Sequence, residues 1–207
     1  MYPSGAAFLT AVAPIAPSST ADSIVDMIAD CGAKIFFLDK AVADELGDRL
    51  ARVKAKLVAL DDGAPGAPYD EFIAPAGAQP TPVALTAEMP FNIIYSSGTT
   101  GTPKGIVQSH GMRYGHVARA QAMGYGEGAV TLLSTPLYSN TTLVSFFPTL
   151  GLGGTVVLMK KFDAAQYLAL AQKHRATHTM LVPVQYSRLM AREDFDAYDL
   201  SSFVMKF

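Results

Sequence analysis

The sequence predicts an α/β fold: a layered arrangement of helices on largely parallel strands. Three observations carry that reading. Short uninterrupted apolar runs such as Ile35-Phe36-Phe37-Leu38 are the mark of strands buried on both faces. Elsewhere apolar residues recur at helical spacing, as in Ile24, Met27, Ile28 and Cys31. The two patterns alternate along the chain, as they do where parallel strands are joined by helical crossovers.

Composition narrows the class. The 207 residues allow one large domain or two small ones, and with half of them hydrophobic and 16% charged they can bury a substantial core. Sixteen Lys and Arg against 18 Asp and Glu leave a net charge of −2, so no basic excess points to nucleic acid and no charge run suggests a tail. The single cysteine, Cys31, cannot form an internal disulfide, and no Cys/His spacing suits a metal. Its place on the apolar side of a helix predicts a buried, inert thiol, in keeping with a reducing cytoplasm. No signal-peptide pattern is visible at the N-terminus. Residues 129–159 carry no charge, but Pro136, Pro148, Gly151, Gly153 and Gly154 interrupt them. A spanning helix wants about 20 consecutive apolar residues, so no transmembrane segment is expected there.

Taken in order, residues 6–15 read as a strand entering a turn at Pro14 and Pro17. Ser18, Ser19 and Thr20 are cap candidates, and Ser19 with Asp22 fits a capping box. A helix follows to Cys31 and stops at Gly32. Strand 35–38, an amphipathic helix over 40–53 and strand 56–60 complete a β/α segment, residues 1–60. Residues 61–90 are rich in Pro, Gly and Ala and read as a connector, with a short element at 69–73. Residues 91–207 hold the strands 91–95 and 106–107, both expected to be buried, and a helix over 109–123 ending at Gly124. On that helix Arg113, His116 and Arg119 are expected to form a solvated face, and His110 to be a structural hydrogen bonder. Then come strand 131–134, loop 135–140, an apolar helix 141–150 with Phe146 and Phe147 in the core, and strand 155–159. A helix capped by Asp163 runs to about residue 175 with Tyr167, Leu168 and Ala171 on one side. Strand 177–182, helix 184–191 and an apolar run 203–205 close the chain.

The chemistry concentrates in Tyr95-Ser96-Ser97-Gly98-Thr99-Thr100-Gly101-Thr102-Pro103-Lys104-Gly105. Three glycines let backbone N–H groups converge on an anion. Five Ser and Thr hydroxyls add neutral donors, and Lys104 adds a mobile charge suited to phosphate. The reading is a polyphosphate cradle held between two strands. It is not a Walker loop, because Lys104 follows Pro103 and Gly105 stands where Ser or Thr is needed.

Ser96 through Gly105 resemble, without a gap, the phosphate loop of the AMP-forming adenylate-forming enzymes: acyl- and aryl-CoA synthetases, peptide-synthetase adenylation domains and luciferases. The resemblance implies that Ser96, Ser97, Gly98, Thr99, Thr100, Gly101 and Lys104 contact the ATP phosphates, with Thr100 also at magnesium. Gly5 to Pro17 and Cys31-Gly32-Ala33-Lys34 resemble the family's opening segment more loosely. Pro136, Leu137 and Tyr138 resemble its second motif, where Ser139 replaces the usual histidine. Tyr138, Ser139 and Asn140 are thus the substrate-binding candidates, with Asn140 as a substitute polar group.

The family's later motifs, including its catalytic lysine, find no counterpart before Phe207. The expectation is therefore a partial AMP-binding N-terminal domain over residues 1–207, a fragment of the large N-terminal domain without the C-terminal domain. By this resemblance the intact enzyme, a long-chain fatty acid–CoA ligase-like acid–thiol ligase, uses ATP, magnesium and coenzyme A to convert a fatty or aryl acid to acyl-AMP and then acyl-CoA. The isolated chain is expected to be inactive and to hold no catalytic residue. An adenylation domain loading a carrier protein, or a non-catalytic nucleotide-binding module, are the alternatives.

Overall fold

A computed structural model describes residues 10–79, 82–96 and 103–206, with the side chains of 205 and 206 excepted. The chain divides into two units, Met1–Ser109 and His110–Phe207.

In the first unit, helix α1 (Ala21–Asp30) buries Ala21, Ile24, Val25, Met27 and Ile28 on one face. The predicted capping box between Ser19 and Asp22 does not form. The cap is Thr20, whose hydroxyl oxygen accepts from the Ser23 N–H at 3.3 Å. Asp22 is drawn instead to Arg49 and Arg52, each 2.9 Å away on the surface. Cys31 is half-buried rather than buried, with Sγ 3.6 Å from the Ile28 carbonyl, because it caps the exposed end of the helix. Strand β1 (Ile35–Leu38) pairs in parallel with β2 (Lys56–Ala59), as the apolar runs predict. Between them α2 (Lys40–Leu46), capped by Asp39, gives way at Gly47 (φ 50°) to a 3-10 turn, so the expected single helix over 40–53 is broken. Within the connector, β3 (Ala67–Pro68) extends the sheet and α3 (Tyr69–Phe72) supplies the short element. The described part of the predicted 6–15 strand reduces to one bridge, Val12 to Asn92.

Strands β4 (Pro90–Ser96) and β5 (Lys104–Ser109) form a second sheet, and one expectation fails there. The pair is antiparallel, unlike the other sheets. The short connection dictates this, since a parallel pair needs a crossover of about a dozen residues or more. The two strands are not both buried: Asn92 and Ile94 are, while Ile106 is 48% and Val107 54% exposed.

In the second unit, α4 (His110–Ala120) runs into a 3-10 turn that ends at Gly124 (φ 86°). Strands β6 (Val130–Leu133), β7 (Thr155–Leu158), β8 (His178–Met180) and β9 (Met205–Lys206) form a parallel sheet in the order β7-β6-β8-β9. Helices α5 (Asn140–Gly151), α6 (Ala164–His174) and α7 (Pro183–Met190) make the crossovers. Leu132, Tyr167, Leu168, Ala171, Leu181 and Leu189 belong to the core beside this sheet, as the spacing on α6 predicts. Burial pushes the Tyr167 hydroxyl well above its ordinary pKa; it donates to Thr179 Oγ1 at 2.6 Å, and Thr179 donates to the Leu132 carbonyl at 2.9 Å. His178 Nε2 lies 3.0 Å from the Met123 carbonyl and Nδ1 lies 2.7 Å from the Thr177 hydroxyl. Among the described residues, no helix is long and apolar enough to cross a membrane.

Candidate functional site

The phosphate-loop candidate connects β4 to β5 in sequence. Ser96 and Lys104 face each other as the last paired residues of the two strands, so the loop leaves and re-enters the sheet at one point. Strand alternation puts both on the face that also carries Ile94 and Ile106. Both side chains are exposed, available to a ligand at the loop mouth. Ser97, Gly98, Thr99, Thr100 and Gly101 lie outside the described residues.

The opposite face explains the glycine at position 105. Gly105 pairs with Tyr95, and a Cβ there would lie 3.1 Å from the Tyr95 Cζ, 3.2 Å from its Cε1 and 3.1 Å from Ile93 Cγ2. The ring of Tyr95 thus covers the space a side chain would take. That ring is itself held. Its hydroxyl lies 2.7 Å from Asp30 Oδ2 and 3.1 Å from the Met27 carbonyl, both in the last turn of α1. Burial first, then the hydrogen bond to Asp30, pushes the hydroxyl far above its ordinary pKa, so it stays a donor. In the sequence Tyr95 stands only as the end of the apolar run 91–95 and the start of the loop motif, and Asp30 belongs to no motif. The alternation Asn92, Ile94 against Ile93, Tyr95 could have marked Tyr95 as the residue across from the last loop glycine.

The second motif sits at the start of α5. Thr142 Oγ1 lies 2.7 Å from both Thr135 Oγ1 and the Pro136 carbonyl, which ties the 135–140 loop to the helix from beneath. Tyr138 and Ser139 are half-buried and Asn140 is exposed. Ser139 is the N-cap residue, but its side chain makes no cap bond. Asn140 Oδ1 accepts from Arg113 Nη1 at 3.0 Å.

Arg113 corrects the reading of α4 as carrying a solvated face. Its side chain is 4% exposed, and its guanidinium lies 5.3 Å from the centre of the Phe147 ring. The helical spacing of Arg113, His116 and Arg119 is right, but α5 covers the first of them. Burial lowers the Arg113 pKa; burial, then the charges of Arg113 and Arg119, lowers that of His116. Phe146 and Phe147 meet edge-on at 5.5 Å and are half-buried, so they are not the closed core expected of them. His110 is the first residue of α4. Among the described residues no group of three His, Cys, Asp or Glu side chains could hold a metal ion.

A family model described as AMP-binding enzyme matches residues 6–207. The chain belongs to that family. Among its relatives, an indoleacetate–CoA ligase from Aromatoleum aromaticum is 33% identical over 190 residues, covering 86% of this chain and 36% of that protein. A 4-coumarate–CoA ligase from Solanum tuberosum is 29% identical over 209 residues, covering 96% and 38%. Among solved structures, ATP-bound MatB from Rhodopseudomonas palustris superimposes with a TM-score of 0.78 at 25% identity, over 95% of this chain and 39% of that one. A luciferase-like enzyme from the mealworm Zophobas morio gives 0.75 at 20% identity, over 91% and 45%, a likeness of fold. The AMP-binding chain thus spans well under half the length of these proteins. Its membership of the AMP-binding family and its α/β fold are as the 96–105 motif and the apolar runs predict.

Proposed function

We propose that this AMP-binding chain is the phosphate-holding part of an enzyme that activates a carboxylic acid with ATP and passes the acyl group to coenzyme A. In that reaction a carboxylate oxygen attacks the α-phosphorus of ATP, acyl-AMP forms and pyrophosphate leaves. The thiol of coenzyme A then attacks the acyl carbon and AMP leaves. The carboxylate is already ionised at neutral pH, so the first step needs charge neutralisation and alignment rather than a base.

The observation that carries the proposal is the hairpin mouth: Ser96 and Lys104 opposed and exposed, at the ends of a loop whose residues match the family's phosphate motif. Ser96, Ser97, Thr99 and Thr100 would donate hydroxyl protons to phosphate oxygens, Gly98 and Gly101 would lend backbone N–H groups, and Lys104 would balance the charge leaving with pyrophosphate. Magnesium would travel with the nucleotide, with Thr100 as its proposed protein ligand and phosphate oxygens and water as the rest of its shell. Tyr138, Ser139 and Asn140 would border the acyl group.

For the acid we propose an aryl acid ahead of a long-chain fatty acid. The relatives named for 4-coumarate, indoleacetate and 2-succinylbenzoate support the aryl side. The charge-free stretch 129–159 supports either against an amino acid, whose ammonium would need a carboxylate partner. We place the reaction in the cytoplasm.

The test is thioester formation. The intact enzyme, given ATP, magnesium and coenzyme A, is expected to form CoA thioesters from aryl acids, whereas residues 1–207 alone should release no acid-dependent pyrophosphate. Thioester formation from none of a panel of aryl and alkyl acids would refute the assignment.

A further inference from the structure

Arg113 is a buried cation on α4, lying against α5. Neither α4 nor α5 contains an acidic residue, and residues 128–159 carry no charge at all. The guanidinium is 4% exposed, lies over the Phe147 ring at 5.3 Å, and places Nη1 3.0 Å from Asn140 Oδ1. A guanidinium offers five N–H donors and no acceptor. Asn140 can therefore meet it only through its carbonyl oxygen. That contact fixes the amide, and the Nδ2 amino group is turned away from Arg113. Because Asn140 is exposed at the first position of α5, that amino group is available to a ligand. An amide free to turn serves donors and acceptors alike. One held by a guanidinium keeps its amino group, a donor, turned away from that partner.

We propose that Arg113 is a positioning residue that makes Asn140 a fixed hydrogen-bond donor, and that the acid this enzyme activates carries an acceptor on its acyl portion, an ether, carbonyl or phenolic oxygen, received by Asn140 Nδ2. This rests on the reading of residues 138–140 as part of the acyl site and adds to it a substrate class: oxygenated acids in place of plain hydrocarbon ones. Among residues 138–140, Asn140 is the one whose side chain is oriented by its bond from Arg113.

The test uses the intact enzyme and acids matched in shape: para-methoxy against para-ethyl cinnamic acid, and a fatty acid with an ether oxygen in its chain against its all-carbon isostere. The wild type is expected to prefer the ether by about tenfold in kcat/KM, through the KM for the acid, the size of one net hydrogen bond. Asn140→Asp keeps an acceptor toward Arg113 and presents a second one outward. It should fold as well as the wild type by thermal denaturation, keep its KM for ATP and lose the preference. Arg113→Gln, whose amide can donate or accept, frees Asn140 to turn, and the preference should shrink to about twofold or less. Equal use of ether and isostere by the wild type, or an unchanged preference in a folded Asn140→Asp enzyme, overturns this inference and leaves acid activation standing. Failure of every acid to drive pyrophosphate release overturns the parent reading, and this one with it.

Discussion

Gly105→Ala is the substitution whose cost follows most directly from the hairpin. The backbone at Gly105 lies outside the positive-φ region, so alanine can adopt it. Replacing glycine would then stabilise by about 0.4–1 kcal/mol through the unfolded chain alone. Against that, the new methyl meets the Tyr95 ring at 3.1 and 3.2 Å and Ile93 Cγ2 at 3.1 Å. A free ring would swing aside. This one is tied by its hydroxyl to Asp30 at 2.7 Å, so the strand must shift, and overpacking of this kind costs about 1–3 kcal/mol. The net expectation is a loss of roughly 1 kcal/mol. A double-mutant cycle in urea isolates the cause. In a Tyr95→Ala background the ring is gone, the Ile93 contact is common to both arms, and Gly105→Ala should become neutral or stabilising, with a coupling energy of about 1–2 kcal/mol. A coupling below about 0.3 kcal/mol, or a stabilising Gly105→Ala beside an intact Tyr95, would refute the argument.

Three further outcomes follow from other parts of the chain. Lys104→Ala and Thr100→Ala should slow adenylate formation in the intact enzyme while Lys104→Ala changes stability by no more than about 0.5 kcal/mol, since the Lys104 side chain is exposed; wild-type adenylation rates in both would remove the loop from the phosphate site. The His116 imidazole is held below its ordinary value of 6.5 by burial and by Arg113 and Arg119. The unfolded chain therefore takes up more protons as pH falls through about 6.5, so stability is complete above that pH and is lost on acidification; His116→Gln should flatten the slope of unfolding free energy between about pH 7 and 5. Tyr167→Phe deletes a buried hydroxyl donor to Thr179 and should cost about 0.5–1.5 kcal/mol in chemical denaturation, no change being the result against it.

What the sequence made legible, and what it hid, divides along physical lines. The parallel sheets were readable because short apolar runs such as Ile35–Leu38 alternate with helical spacing, although β1 is not buried on both faces: Phe37 is 43% exposed. Membership of the AMP-binding family was readable because residues 96–105 match its loop motif without a gap. The antiparallel pairing of β4 and β5 follows from the few residues between the strands. The exposure of Ile106 and Val107 was not readable, because apolar character alone does not say which edge of a sheet is covered. Arg113 was misread for a related reason. Its spacing with His116 and Arg119 marks a helix face, but Arg113 itself is buried with contacts to Asn140 and Phe147, some thirty residues on. The cap of α1 slipped by one residue because Ser19 and Thr20 are equally able to accept, and Arg49 and Arg52 compete for Asp22.

The central claim is that the loop at the end of the β4–β5 hairpin serves acid activation. Exchange of labelled pyrophosphate into ATP, measured on the intact enzyme with aryl, alkyl and amino acids in turn, tests it most directly. The expected result is exchange that requires an aryl or alkyl acid and falls sharply in Lys104→Ala. Exchange supported only by free amino acids, or unaffected by Lys104→Ala, would contradict it.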